Sequence, residues 1–225
     1  MPRSYQQNCP IAKGLDVLGE RWTLLILREL IGGPRRYGDL RGQLPGIATN
    51  LLADRLRELE DAGLVDREEL PPPVARTVYT LSDEGWRKVP PVIQAIATFG
   101  LDMIEPTETA LTPLNGFLAG ILLPFNRSTG LNASYRVDID DRRFEFAVNA
   151  GGLAAARGLP AVTVTAKAAD LISARFGATA AERKAALRRV TFDGDADAVD
   201  AMRAAFRLSG DPGLLAAPQF DQSNS

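Results

Sequence analysis

Thr49, Asn50, Ala53, Asp54 and Arg57 alternate with Leu52, Leu56 and Leu59 in one short segment. The leucines recur at helical spacing and turn inward, which leaves the polar set on the outer face or its flanks. That set suits the chemistry of base edges. A carboxamide such as Asn50 can pair with adenine through two hydrogen bonds, and a guanidinium such as Arg57 with guanine. The methyl groups of Thr49 and Ala53 can touch a thymine methyl. Arg35, Arg36 and Arg76 flank the segment and suit phosphate oxygens. Between Pro34 and Arg57 the arginines 35, 36, 41, 55 and 57 face only Asp39 and Asp54. The formal net charge of −2 therefore hides a local basic stretch. A plainer reading stands beside this one: Arg57, Glu60 and Asp61 as a solvated face, and Arg55 paired with a nearby acid.

Cys9 is the second reactive group. Cys9-Pro10 opens a helix, where free amides and the helix dipole favour a thiolate, and Lys13 lies one turn on. The alternative is an inert thiol at an interface. A single cysteine allows no internal disulfide and fits a reducing, cytoplasmic setting. The chain has no histidine. This excludes Ser-His-Asp and Cys-His catalysis and histidine metal sites. There is no paired-carboxylate motif, no GxGxxG and no P-loop, so no enzyme, metal or cofactor is expected. No apolar run spans a bilayer and the start lacks an apolar leader, so no membrane partner is expected.

The elements that must position these residues follow from periodicity and breakers. One helix runs from Cys9-Pro10 to Gly19, with Ile11, Leu15 and Leu18 on a face. Trp22 to Ile31 forms an apolar central helix, stopped by Gly32-Gly33-Pro34. Tyr37–Leu44 is a third, short helix. Pro45-Gly46 turns into a fourth over 48–62, capped by Gly63. Strands at 64–70 and 77–81 flank a proline-rich loop. Ser82 or Asp83 caps a last helical region to about Ile104, which Pro90-Pro91 must break or kink. Helix, turn, helix and ribbon is the order of a winged helix-turn-helix, whose second helix enters the major groove.

The stretch CPIAKGLDVLGERWTLLILRELIGGPRRYGDLRGQLPGIATNLLADRLRELEDAGLVDRE, with the later YTLSDEG, strongly resembles the HxlR family of bacterial winged-helix regulators over about residues 8–104. The resemblance implies a homodimer on palindromic or near-palindromic double-stranded operator DNA, most often as a repressor. It places dimer contacts on the first and last helices, here Ile11, Leu15, Val92, Ile96, Phe99 and Met103. Some such regulators sense oxidants or electrophiles through a cysteine at the place of Cys9.

The second half reads as α+β. Tyr135, Val137 and Ile139 alternate, a turn follows at Asp140 to Arg143, and Phe144, Phe146 and Val148 alternate again. Val162, Val164 and Ala166 form a third strand. Helices are expected at Asp170 to Phe176, after the capping box Thr179–Glu182, and around Val199, Met202 and Phe206, with a short strand at Val190 to Phe192. With AVTVTAKAADLISARFG and VTFDGDADAVDAMRAAF, this order over about 114–208 resembles the fold of sterol carrier protein type 2. The resemblance implies an apolar tunnel, with Leu118, Leu122, Phe125, Phe144, Phe146, Phe176 and Phe206 as lining; a plain core is the alternative.

The fold class expected is therefore mostly α plus α+β: a winged helix-turn-helix domain at 1–106, a sterol-carrier-like domain at 107–208 and a mobile tail at 209–225. The function expected is a homodimeric transcriptional regulator, controlled by an apolar small molecule or by Cys9. The alternative is a lipid or small-molecule carrier whose helical half only dimerises.

Overall fold

The computed structural model describes residues 4–71, 76–100, 103, 116–126, 129–150 and 152–209. The proline-rich loop, the linker around Glu105-Pro106-Thr107 and nearly all of the expected tail lie outside them. The chain divides into two compact units. One is Met1–Ile93 with Leu153–Ala155; the other is Gln94–Gly152 with Ala156–Ser225.

The first unit follows the expected element order: α1 (Pro10–Leu18), α2 (Thr23–Ile31), α3 (Tyr37–Gln43), α4 (Thr49–Asp61), β1 (Val65–Leu70), β2 (Arg76–Leu81) and the start of α5 (Asp83–Gly100). Ile26, Leu27, Leu30 and Ile31 of α2 are fully buried, as are Leu40, Leu52, Leu56 and Leu59. Burying each such side chain is worth about 1.5–3 kcal/mol, which fixes which face of α4 can meet a ligand. The apolar run at 24–27 is not uniformly core: Leu25 is exposed. β1 and β2 pair antiparallel, Val65 opposite Leu81 and Leu70 opposite Arg76. Arg35 adds a further rung, exchanging backbone hydrogen bonds of 2.9 and 2.7 Å with Tyr79.

Ser82 proves to be the cap of α5. Its hydroxyl donates to the Gly63 carbonyl at 2.6 Å and accepts the Gly85 amide at 2.9 Å. Gly85 must be glycine, because a Cβ there would lie 2.1 Å from the Leu64 carbonyl oxygen. α5 then runs unbroken through Pro90-Pro91. Of the expected break or kink, the break does not occur. Two prolines cost the helix amide donors, about 3 kcal/mol or more each. Trp86, Val89, Pro90 and Ile93 are buried together on this helix, and that packing offsets the loss.

The second unit is built on the strands β4-β3-β6-β7 of a sheet whose full order is β5-β4-β3-β6-β7. The strands are β3 (Ala133–Ile139), β4 (Arg142–Asn149), β5 (Gly152–Ala154), β6 (Val162–Ala166) and β7 (Thr191–Gly194). β3 pairs antiparallel with β4 and parallel with β6, and β6 pairs antiparallel with β7. Alternation sends Tyr135, Val137, Ile139, Phe144, Phe146, Val148, Val162 and Val164 inward. The other face carries cross-strand ion pairs, Arg136–Glu145 and Arg143–Asp138, both at 2.8 Å. The helices are α6 (Ala168–Phe176), α7 (Ala180–Leu187) and α8 (Ala196–Ala205), with a π-helical segment at Leu118–Leu122. The expected capping box opens α7: Thr179 Oγ1 accepts the Glu182 amide at 3.2 Å, and Glu182 accepts the Thr179 amide at 3.3 Å. β5 has no counterpart among the sequence expectations.

Candidate nucleic-acid interface

The turn between α3 and α4 lies beside a tryptophan. Gly46 takes φ +91°, and a Cβ there would sit 3.8 Å from the Trp22 ring. Trp22 itself caps α2 at φ 81°, a left-handed conformation that is costly for so large a side chain. The Arg21 guanidinium lies 5.5 Å from the same ring. Apolar spacing alone does not single out Trp22 for this part; a tryptophan at a helix start, ahead of a Pro-Gly turn, is the only hint.

α4 presents Thr49, Asn50, Asp54 and Arg57 exposed and Ala53 half-buried, opposite the buried leucines. Their placement agrees with the helical reading. Asn50, Asp54 and Arg57 nonetheless each have a local partner. Asn50 Oδ1 accepts the Leu51 amide at 3.0 Å, which satisfies one of the open donors at the helix start. Arg57 pairs with Asp54 at 3.2 Å, both side chains more than half exposed. Arg55 is mostly buried and pairs with Glu58 and, at 3.7 Å, with Glu20. It therefore belongs to the plainer reading.

The flanking arginines differ among themselves. Arg36 and Arg41 are exposed, and Asp39 anchors the start of α3 by accepting the Arg36 amide at 3.1 Å. Arg35 is half-buried, and its guanidinium donates to the carbonyls of Gly32 at 2.9 Å and Pro34 at 3.3 Å. It closes the end of α2. Arg76 is exposed at the start of β2. The opposite strand is acidic, with Asp66, Glu68 and Glu69 exposed and Arg67 paired to Glu69 at 3.5 Å. Those acids were visible in VDREEL but carry no meaning until the register places them on the ribbon.

Cys9 is the N-cap residue of α1 and half-buried. The amides of Ala12 and Ile11 lower its thiol below the ordinary value. Among the expected dimer residues, Ile11, Leu15, Ile96, Phe99 and Met103 are exposed, Ile11 at 74% and Phe99 at 72%, and Val92 is half-buried. In the second unit Leu118, Leu122, Phe125, Phe144, Phe146 and Phe206 are buried, whereas Phe176 is only half-buried. The rings of Phe117 and Phe144 stack at 4.5 Å and those of Phe125 and Phe206 at 4.9 Å. Among the described residues no group of three acids or cysteines could hold a metal, and no helix is long and apolar enough to cross a membrane.

Residues 17–108 match the model of the HxlR-like helix-turn-helix family. A Synechocystis HTH-type transcriptional regulator is 39% identical over 108 residues, which is 48% of this chain and 79% of the relative. The chain belongs to the HxlR family. The HTH-type regulators YvaP and YodB of Bacillus subtilis are each 33% identical over 102 residues, 45% of this chain and 94% and 90% of theirs. The solved reduced form of YodB is similar with TM-score 0.39 at 32% identity, covering 45% of this chain and all of that one. These HxlR-type likenesses cover the winged helix-turn-helix half of the chain.

Proposed function

We propose that this chain is a one-component transcriptional regulator that binds palindromic operator DNA as a homodimer, with α4 in the major groove. The observation that carries this reading is the outward face of α4, where Asn50, Ala53 and Arg57 oppose a buried leucine row in an HxlR-type winged helix-turn-helix. In this reading Thr49, Asn50, Ala53 and Arg57 meet bases, and Arg35, Arg36 and Arg76 meet phosphates. Arg35 first releases the Gly32 carbonyl. Repression is the expected sign, and the cytoplasm the expected place of work.

The second unit, read as sterol-carrier-like, is the effector module. A ligand that binds one conformation better shifts DNA affinity by that difference. An apolar ligand would act by separating the packed rings of Phe125, Phe144, Phe146 and Phe206. Cys9 is a second input, supported by the amides that favour its thiolate.

The test is binding to the DNA upstream of the chain's own gene and to neighbouring promoters across a salt series. Sequence-selective binding that weakens steeply with salt is expected. Asn50→Ala should reduce selectivity, at about 1–3 kcal/mol per lost base pairing, while Arg36→Ala weakens all duplexes alike. Equal losses from both variants would remove α4 from the groove. No selective duplex at any of these promoters would remove the regulator reading.

A further inference from the structure

α3 and α4 each begin at the end of the motif that faces DNA in the reading above, and one hydrogen bond joins these two starts. The hydroxyl of Tyr37, the first residue of α3, donates to the carbonyl of Thr49, the first residue of α4, at 2.5 Å. The start of α3 is itself pinned, because Asp39 accepts the Arg36 amide. The start of α4 has no such anchor of its own. Its N-cap is Ala48, which offers no side-chain acceptor, and Asn50 turns back on Leu51 instead. When Asn50 leaves Leu51 for a base, that local support goes too, and the Tyr37 bond remains.

We infer that Tyr37 is a positioning residue for base recognition: its hydroxyl fixes the first turn of α4 so that Thr49 and Asn50 reach base edges in one register. The inference rests on the assignment of α4 to the major groove. A free first turn frays, because its amides lack partners within the helix, and a bond from a neighbouring element restrains it. Fraying costs little in non-specific binding, which depends on phosphate charge, but it blurs the geometry that a bidentate base contact needs. Phenylalanine keeps the ring and removes only the hydroxyl that bonds Thr49, so the hydroxyl's contribution can be read by itself.

The experiment uses the full chain and its Tyr37→Phe and Asn50→Ala variants. The duplex is the one that the wild type enriches from a randomised pool, with an unrelated duplex of equal length as control. Tyr37→Phe should lower the affinity ratio between the two duplexes by about three- to tenfold, the value of one hydrogen bond, with control binding unchanged. Hydrogen exchange without DNA should show the amides of residues 51–54 opening faster by a similar factor. Equal losses on both duplexes would make the hydroxyl a phosphate contact and overturn the inference. Unchanged selectivity or unchanged exchange would overturn it as well. If Asn50→Ala leaves selectivity intact, or the wild type enriches no duplex, the groove assignment fails and takes the inference with it. If Asn50→Ala loses selectivity and Tyr37→Phe does not, the inference alone fails.

Discussion

Asn50 and Arg57 of α4 each hold a local partner, and this sets their energetics. Asn50 must give up Leu51, and Arg57 must give up Asp54, before either reaches a base. Each exchange replaces one hydrogen bond with another, so the net gain is a small difference, about 0.5–1.5 kcal/mol for a neutral bond and more for a charged one. Asp54 would also stand close to phosphate charge once Arg57 leaves it. Cys9 is engaged differently. The amides of Ala12 and Ile11 stabilise its charged form in the folded chain. A depressed thiol value means a stability contribution present above the unfolded value and lost as pH falls through the folded one. It also predicts reactivity. The rate of iodoacetamide alkylation should rise with pH to a midpoint below about 8.5, the value of a free cysteine. Unfolding in urea should return the midpoint to that value. A native midpoint at or above it would remove Cys9 as a reactive thiol.

At the scale of elements, close approach and buried charge hold the second unit together. A Cβ on Gly116 would lie 2.7 Å from Ala168 Cα, and one on Gly120 would lie 2.8 Å from Leu171 Cβ, so the π-helical segment lies flat on α6. Arg175 of α6 is 2% exposed and has carbonyl oxygens as its partners. It donates to Gly120 at 2.9 Å, to Phe206 at 2.5 Å and to Arg207 at 2.5 Å. Burial, with Arg207 nearby, pushes its guanidinium down to about 10. Arg175→Leu would strand these carbonyls, and each buried unsatisfied group costs about 1–3 kcal/mol. The variant leaves neutral carbonyls and no unpaired charge, so it should lose about 1–3 kcal/mol of stability by urea unfolding. A loss below 1 kcal/mol would make the clamp dispensable. Nothing in ADLISARFG marks Arg175 as buried, because its partners lie 31 to 55 residues away in the chain. The elements themselves were far more legible. Leu52, Leu56 and Leu59 repeat with the helical period, and Tyr135 to Ile139 and Phe144 to Val148 with the strand period, so α4, β3 and β4 fall where the pattern puts them. β5 escapes because three residues are too few to show a period. The prolines of α5 do not end the helix, because tertiary burial outweighs a local preference. At the interface the outward side chains of α4 were readable, while the Tyr37–Thr49 link and the acidic strand β1 depend on pairings that spacing does not encode.

For the whole molecule, a net charge of −2 must be reconciled with an anionic ligand. Exposed Arg36, Arg41 and Arg76 supply few cations, and Asp66, Glu68 and Glu69 oppose them on the ribbon. In the proposed reading one chain would make few phosphate contacts, and a two-fold pair of chains would double them across two half-sites. The exposed apolar side chains point the same way. Ile11 and Leu15 are exposed on α1, and Ile96 and Phe99 on the later turns of α5, where they share a helix face with Val92. Side chains of this size left in water forgo about 1.5–3 kcal/mol each, and clusters of them mark interaction surfaces. Sedimentation equilibrium should accordingly give twice the 24.2 kDa chain mass. Phe99→Glu places a charge on the later turns of α5, and Ile11→Glu places one on α1. Each should shift the protein toward monomer and weaken a palindrome far more than an isolated half-site, because only the palindrome engages two recognition helices together. A wild-type chain that sediments as a monomer, or variants that keep the dimer mass, would detach these apolar residues from self-association and leave the phosphate deficit to be met by the single chain.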